Sequence, residues 1–231
     1  KGTLTYQIRP NLMTYASISH GGNSAGYDLR AQSPSASGSL QASTPYNPEI
    51  VTTYEVGLKS DPVPGRIHFN GALFWNQFDN IQLTTTDPSS GLSRRFNAGK
   101  GHSAGAEIET FVKITHDLDL HYTASYLYSV LDDFRGRVSR TTLASGQVYN
   151  NTPYAGAPLP FSPRFQTMGS LTYRLPIRLP GVFRVGADVS FQSALYTSSQ
   201  TNPQNRLSPQ TYINAMASWT SPDSRWFLQA T

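Results

Sequence analysis

One short glycine-containing segment has a spacing that could bind a nucleotide. Gly99-Lys100-Gly101-His102-Ser103-Ala104 fits the pattern G-x-G-x-x-A, which occurs where a strand turns into a phosphate-binding helix. That chemistry requires the helix, because its N-terminal amides hold the phosphates. The residues that follow, Glu107-Ile108-Glu109, alternate as a strand does. We therefore interpret the segment as a strand whose small residues allow bending or the close approach of another surface.

Glu107 and Glu109 form the most suggestive pair of carboxylates, since a glycosidase needs one as acid and one as base. Two positions apart on one strand, however, they point to the same face and leave no pocket between them for a sugar. We predict that they are groups on a polar face, hydrogen-bonded to water or to another domain. No catalytic role is predicted for them.

No other group of residues predicts catalysis or metal binding. Gly22-Asn23-Ser24-Ala25-Gly26 has the spacing G-x-S-x-G, but a strand-only sequence offers no strand-to-helix elbow to position a nucleophilic serine. The absence of cysteine excludes disulfides and thiolate metal sites. The five histidines have no H-x-x-x-H spacing. Asp132 and Asp133 alone fall far short of an oxygen shell for calcium. We predict no enzymatic activity, no cofactor and no metal.

The strongest periodic signal is two-residue alternation, which places apolar and polar side chains on opposite faces of a strand. Residues 118–130 and 183–192 show it most clearly, and weaker copies recur along the whole chain. We count about ten strands in this way. No segment has a convincing helical period.

The composition fits a β-rich protein with one apolar and one polar face. Charged residues make up 14% of the 231 residues, and aromatic residues make up 12%. No stretch approaches the roughly 18 consecutive apolar residues of a transmembrane helix. The net charge of +4 is scattered along the sequence, whereas nucleic-acid binding calls for a clustered basic face.

The connections between the predicted strands alternate in length. Short turns are predicted near 9–11, 61–65, 115–117, 179–181 and 221–223, and long polar connections near 21–47, 87–92, 134–162 and 197–208. Many of the strands reach the roughly 9 to 11 residues that cross a bilayer at a tilt. We predict an all-β, antiparallel transmembrane barrel with short periplasmic turns and long extracellular loops. An open sheet would leave unpaired backbone in lipid, so the full barrel must include further strands.

Four segments carry a resemblance to a known family. They are Pro48-Glu49 with Tyr54-Glu55-Val56-Gly57-Leu58-Lys59, the run from Ala72 to Gln82, Asn97-Ala98-Gly99-Lys100 with Gly105-Ala106-Glu107-Ile108-Glu109, and Pro160 to Pro163. In this order and spacing they resemble the C-terminal barrel of TonB-dependent receptors.

The resemblance implies a barrel of about 22 strands, filled by an N-terminal plug. Residues 1–231 are then a partial C-terminal barrel domain, without the plug, the TonB-contacting segment and the final strand. It further implies a monomeric receptor in the outer membrane of a Gram-negative bacterium, in contact with lipid and lipopolysaccharide. The implied function is TonB-coupled import of a scarce nutrient, most simply a ferric siderophore. Import of cobalamin, haem or an oligosaccharide, or a passive porin-like channel, stays open.

Ferric siderophores are often flat anions, which arginine and aromatic side chains at the barrel mouth would suit. Loop arginines could instead contact lipopolysaccharide phosphates or remain solvated. The predicted ligand-binding residues are Arg94, Arg95, His102, Tyr27, Arg135, Arg137, Tyr149 and Tyr154. The residues predicted to face the lumen and plug are Glu55, Lys59, Glu107 and Glu109.

Overall fold

The computed structural model describes residues 1–27, 45–86, 93–134, 140–142, 148–150, 154–198 and 200–231. The strands within them are β1 (Gly2–Arg9), β2 (Leu12–Asn23), β3 (Gly26–Tyr27), β4 (Pro45–Tyr46), β5 (Glu49–Val63), β6 (Ile67–Asp79), β7 (Gln82–Thr86), β8 (Ser93–Asn97), β9 (Gly101–Lys113), β10 (Leu118–Leu131), β11 (Arg140–Thr142), β12 (Val148–Asn150), β13 (Phe165–Arg174), β14 (Val182–Gln192), β15 (Leu195–Tyr196), β16 (Arg206–Leu207), β17 (Gln210–Thr220) and β18 (Phe227–Ala230). Among the described residues, no helix has the length and apolar character needed to cross a membrane.

Ten of these strands form one antiparallel sheet in the order β1-β2-β5-β6-β9-β10-β13-β14-β17-β18. Each main strand therefore pairs with the next main strand along the chain, as in an up-and-down barrel wall. The predicted all-β antiparallel fold, with about ten strands, is confirmed.

The cross-strand register keeps the two kinds of side chain on separate faces. On one face Asn70, Glu109 and Thr123 stand opposite one another across β6, β9 and β10. One residue further along, Ile108 on β9 and Ala124 on β10 pair on the other face. The sheet therefore has a continuous polar face and a continuous apolar face, because side chains alternate with a period of two.

The polar face is the concave one. A single cavity of about 650 Å³ is lined from Tyr15 on β2 to Tyr212 on β17, across the polar side of the sheet. On the apolar face, Leu73 and Ile213 are 59% and 73% exposed. Such a surface is unfavourable in water by roughly 25 cal/mol per Å² but is matched by lipid. We call the polar side the inner face and the apolar side the outer face.

The alternation of short and long connections is confirmed in the described residues, with one correction. The turn predicted at 61–65 begins later, because β5 continues to Val63 and the chain reverses at 64–66. A shift of register between Ser60 and Val63 takes up one extra residue of β5. A bulge of this kind increases the local twist at the end of a strand.

The sequence predicts long polar connections without strands, and the structure differs from this prediction. They carry the two-stranded ribbons β3–β4, β7–β8, β11–β12 and β15–β16. The β7–β8 ribbon is anchored by a buried cluster at the end of the sheet where the long connections lie, which we call the loop side. Its members are Ile81, Leu83, Ala98 and Leu131, with Phe78, Phe96, Phe134 and Leu159 packed against them. The buried core of the described residues is thus concentrated at the loop side.

Candidate functional site

Tyr15 joins β2 to β5 on the inner face. Its hydroxyl donates a hydrogen bond of 2.6 Å to Oε1 of Glu55. Its ring lies across Gly57, where a Cβ atom would overlap the ring carbons. Glu55 and Gly57 are two apart on one strand, so the same tyrosine contacts both. This contact explains why the segment from Tyr54 to Lys59 combines a carboxylate and a glycine at that spacing.

Gly105 has the same role one pair of strands further along. A Cβ atom there would overlap the ring of Phe74 on β6 and the carbonyl oxygen of Tyr126 on β10. Gly105, the residue that follows the segment Gly99 to Ala104, thus accommodates an aromatic ring of the sheet itself. β9 begins at Gly101, within the segment, where a nucleotide-binding fold would require the start of a helix.

Glu109 lies at the centre of a polar group on β6, β9 and β10. Asn70 donates a hydrogen bond of 3.0 Å from Nδ2 to its Oε2 atom. Nε2 of His121 is 3.4 Å from Oε1, and the His121 ring stacks on Phe111 with centroids 4.0 Å apart. Neighbouring protein groups therefore orient this carboxylate.

The predicted inner residues share one face. Lys59, Glu107 and Glu109 all line the inner cavity. Glu55 on β5 pairs with Phe74 on β6, and Glu107 on β9 pairs with Ala72, two residues away on β6, so the two carboxylates share this face. Because these charges point into the concave side, that side suits polar groups of a ligand, of water or of another domain.

The opposite part of the inner wall is dominated by neutral polar side chains. Gln166 donates to Gln192 over 3.1 Å, and Asn214 donates to Asp188 over 2.7 Å. Ser190 and Tyr212 line the same cavity. Amide and hydroxyl ladders of this kind satisfy one another across strands and leave further hydrogen-bonding capacity for what occupies the barrel.

At the loop side, the second long connection is tied to the first by side-chain amides. Asn97 donates to the carbonyl oxygens of Asn47 and Asn80 over 3.0 and 2.8 Å, and its Oδ1 accepts from the Asn47 amide over 2.7 Å. Glu49 accepts from the backbone amide of Gln82 over 2.6 Å. These bonds fix residues 45–49 against the base of the β7–β8 ribbon.

Arg95 lies over an aromatic ring that the sequence analysis missed. Its guanidinium carbon is 5.7 Å from the centre of the Tyr46 ring, a cation–π arrangement. Tyr46 comes two residues before the Pro48-Glu49 motif, but no pattern in the sequence pairs it with Arg95. Tyr27 is exposed on β3, opposite Pro45 of β4. Arg95, Tyr46 and Tyr27 therefore belong to the same pair of long connections.

Of the remaining predicted ligand residues, those that the structure describes lie on a strand or just before a turn. Arg94 lies on β8 opposite Thr85, Tyr149 on β12 opposite Thr141, and Tyr154 just before the turn that returns to the sheet. Arg135 and Arg137 lie outside the described residues.

His102 lies on the outer face, away from the inner cavity. Its ring stacks on Trp75 with centroids 4.5 Å apart and planes 9° apart. Its Nδ1 atom is 2.6 Å from Oδ1 of Asp132. Aromatic side chains with a polar end suit the level of the lipid headgroups. The structure therefore separates His102, which was predicted to bind ligand, from the inner face.

Among the described residues, no group of three or more His, Cys, Asp or Glu side chains could hold a metal ion.

Comparisons with known proteins agree with this architecture. The sequence matches the TonB dependent receptor-like β-barrel family over residues 1–231. The ferric yersiniabactin uptake receptor FyuA from Yersinia pestis is similar with a TM-score of 0.69 and 17% identity, over 96% of this chain and 29% of that chain. The siderophore receptor PiuA from Acinetobacter baumannii gives 0.64 and 21%, over 94% and 28%. The copper transporter OprC gives 0.65 and 12%, over 94% and 30%. The chain spans under a third of each, and identities this low show the shared fold alone.

Proposed function

Because this chain belongs to the TonB dependent receptor-like β-barrel family, we propose that its protein imports a ferric siderophore across the outer membrane with TonB-coupled energy. Barrels of this family lie in the outer membrane of Gram-negative bacteria, and so does this one. The family consists of transporters and receptors, and its general role is nutrient uptake.

The observation that supports a transport role is the continuous polar inner wall. Its cavity of about 650 Å³ is lined by residues of eight strands, from Tyr15 on β2 to Tyr212 on β17. A ligand or a plug inside the barrel would meet Lys59, Glu107 and Glu109 on one part of this wall and mainly neutral amides and hydroxyls on the other. A wall of this kind matches hydrated cargo, whereas the outer face matches lipid.

The ferric siderophore is proposed as cargo on two grounds. FyuA takes up ferric yersiniabactin and PiuA is a siderophore receptor, although OprC transports copper. Arg95 and Tyr46 offer a cation and a π face on the loop side, which a flat anionic chelate could contact. Arg94 and Tyr27 from the same connections, and Arg135, Arg137, Tyr149 and Tyr154 from the next long connection, are proposed as further ligand contacts.

The proposal extends to the partners. The TonB complex would supply energy through a part of the protein outside this chain, while Glu55, Lys59, Glu107 and Glu109 would face a plug. The outer face would contact lipid and lipopolysaccharide around a single barrel, so the protein is proposed to act as a monomer.

Uptake by cells that carry the intact gene tests this proposal against a matched deletion strain. Cells receive ⁵⁵Fe-loaded siderophores, labelled cobalamin, labelled haem and labelled oligosaccharides, each with and without a protonophore. We expect uptake of a ferric siderophore that requires both the gene and the proton gradient. Gene-dependent uptake that ignores the protonophore would show a passive channel, and uptake of another compound would replace the siderophore as cargo.

A further inference from the structure

A second cavity opens at the loop side of the inner face. Its volume is about 530 Å³, and its apolar lining includes Phe78, Ile81, Leu83, Leu159 and Phe161. It lies between the anchored base of the β7–β8 ribbon and the chain that leads into β13. A volume of this size falls in the range of small-molecule sites, roughly 300–1,000 Å³.

Phe161 reaches this cavity from a backbone conformation that phenylalanine rarely adopts. Its φ angle is +55°, and its side chain is 69% exposed. Bulky L-residues are disfavoured in this left-handed region, where glycine or asparagine is usual. Folding therefore places a large apolar ring in the open at a cost in backbone strain. Strained residues of this kind cluster where a ligand is bound.

The surrounding contacts hold Phe161 in this conformation. Its backbone amide donates to the Tyr196 carbonyl oxygen over 2.8 Å. The Ser162 hydroxyl donates to the Leu159 carbonyl oxygen, and Pro160 fixes its own φ. The Leu159-Pro160-Phe161-Ser162-Pro163 segment is thus a rigid support that presents one aromatic ring to the cavity.

Several polar groups around the cavity already have protein partners. Glu49 accepts the Gln82 amide, Thr197 donates to the Asn205 carbonyl oxygen over 3.2 Å, and Ser198 accepts from Asn205 over 3.1 Å. What the wall offers a ligand is therefore mainly apolar surface. The two aromatic rings, Phe78 and Phe161, stand among aliphatic side chains and a minority of polar surface, which favours a flat ring over a chain or a charged group.

We propose that this cavity is a subsite for a planar aryl group of the ligand and that Phe161 is its principal contact. The inference rests on the proposed function in that the aryl group would belong to an imported ferric chelate. It narrows the substrate class to chelates that bear aromatic rings. Chelates built only from aliphatic hydroxamates would not use this subsite.

The first test measures binding of a single ring without iron. Salicylamide and cyclohexanecarboxamide are compared by saturation-transfer NMR on the whole receptor in detergent. We expect salicylamide to bind and the aliphatic amide to bind much more weakly. Phe161→Ala should raise the Kd of salicylamide about tenfold, because the stacking surface is lost. Phe165→Ala removes an aromatic ring on the outer face and serves as the matched control with unchanged binding.

Phe161→Gly keeps the test valid if the alanine variant folds poorly, because glycine accepts a φ of +55° without strain. This variant should melt no lower than the wild type and still lose salicylamide binding. A stability loss without a loss of aryl selectivity would mean that Phe161 is only structural, and the proposal would be wrong. Equal binding of the two amides, or no binding of either, would also overturn it.

A second measurement separates this inference from the proposed function. Binding of a ferric tris-catecholate and a ferric trihydroxamate is compared in wild type and Phe161→Gly. The substitution should weaken only the catecholate. If uptake in cells needs no proton gradient while aryl selectivity persists, the transport mechanism fails and the subsite stands. If energised uptake is found and the two chelates respond alike, the subsite fails and the transport function stands.

Discussion

The Tyr15 hydroxyl on β2 donates a hydrogen bond of 2.6 Å to the Glu55 carboxylate on β5, between residues 40 positions apart in sequence. The Tyr15 ring covers Gly57 on the same strand as Glu55. A motif that looks local in the sequence is therefore completed by a residue of the neighbouring strand. The contact joins two strands on the inner face, where the bilayer cannot contribute to their packing.

Tyr15→Phe should lower the free energy of unfolding by about 1 kcal/mol, since it removes a hydrogen bond to a partly exposed carboxylate. The measurement is urea unfolding of the whole receptor in detergent, followed by the shift in its gel mobility on unfolding. Tyr212→Phe is the matched control. The Tyr212 hydroxyl donates to Gln210 on its own strand over 2.9 Å, so its loss should have little effect. Equal effects of the two variants would contradict the role assigned to Tyr15.

Gly57→Ala should destabilise the barrel by roughly 1–3 kcal/mol, because the new methyl group must displace the Tyr15 ring. The same unfolding measurement applies. Gly169→Ala is the control, since its methyl group would lie 3.8 Å from Tyr122 in ordinary contact. That substitution should be neutral or stabilising by about 0.5 kcal/mol, because glycine weakens a strand interior. Adding Tyr15→Ala to Gly57→Ala should recover part of the lost stability. If the two substitutions instead lower the free energy of unfolding additively, the Tyr15 ring is not the group that the new methyl displaces.

Cysteine labelling should separate the two faces, because this chain contains no cysteine of its own. Ser190 lines the inner cavity, whereas Val189 is exposed on the outer face. In outer-membrane vesicles, Ser190→Cys should react with a charged maleimide faster than Val189→Cys. A lipid-soluble maleimide should reverse the order. The same ranking with both reagents would show that the faces have been assigned wrongly.

Asp223, in the turn between β17 and β18, should titrate below its ordinary range. The Ser221 hydroxyl donates to Oδ1 over 2.6 Å and the Arg225 amide donates to it over 3.2 Å, and these bonds lower the pKa of the Asp223 carboxyl. A lowered pKa means that the ionised carboxylate stabilises the turn above its ordinary pKa. This contribution is then lost as the pH falls through the lowered pKa.

The measurement is hydrogen exchange of the Arg225 and Trp226 amides as a function of pH. Both amides should be better protected near neutral pH than in acid, after correction for intrinsic exchange rates. In Asp223→Asn this pH dependence should disappear, while Asp117→Asn in another turn should leave it unchanged. A pH dependence that survives Asp223→Asn would assign the titration to a different group.

The sequence determined the fold class, the number of main strands and the family. Two-residue alternation fixes which side chains share a face, and that rule holds wherever a strand forms. The charges at 55, 59, 107 and 109 could be assigned to one polar face for this reason. The correction at the turn after β5 also has a local cause, because a bulge lets the strand continue through residues that favour turns.

Only the tertiary structure decided which residues meet across strands and at the strand ends. Alternation gives no register between distant strands, so neither the Tyr15–Glu55 bond nor Arg95 over Tyr46 could be predicted. His102 illustrates the same limit. Its closeness in sequence to Arg94 and Arg95 suggested a position at the barrel mouth, but its position on β9 directs its ring to Trp75 on the outer face. The left-handed backbone of Phe161 is set by the amide bond to Tyr196 and the proline-bounded turn. Such contacts depend on how distant segments of the chain pack against one another, which a local sequence pattern does not encode.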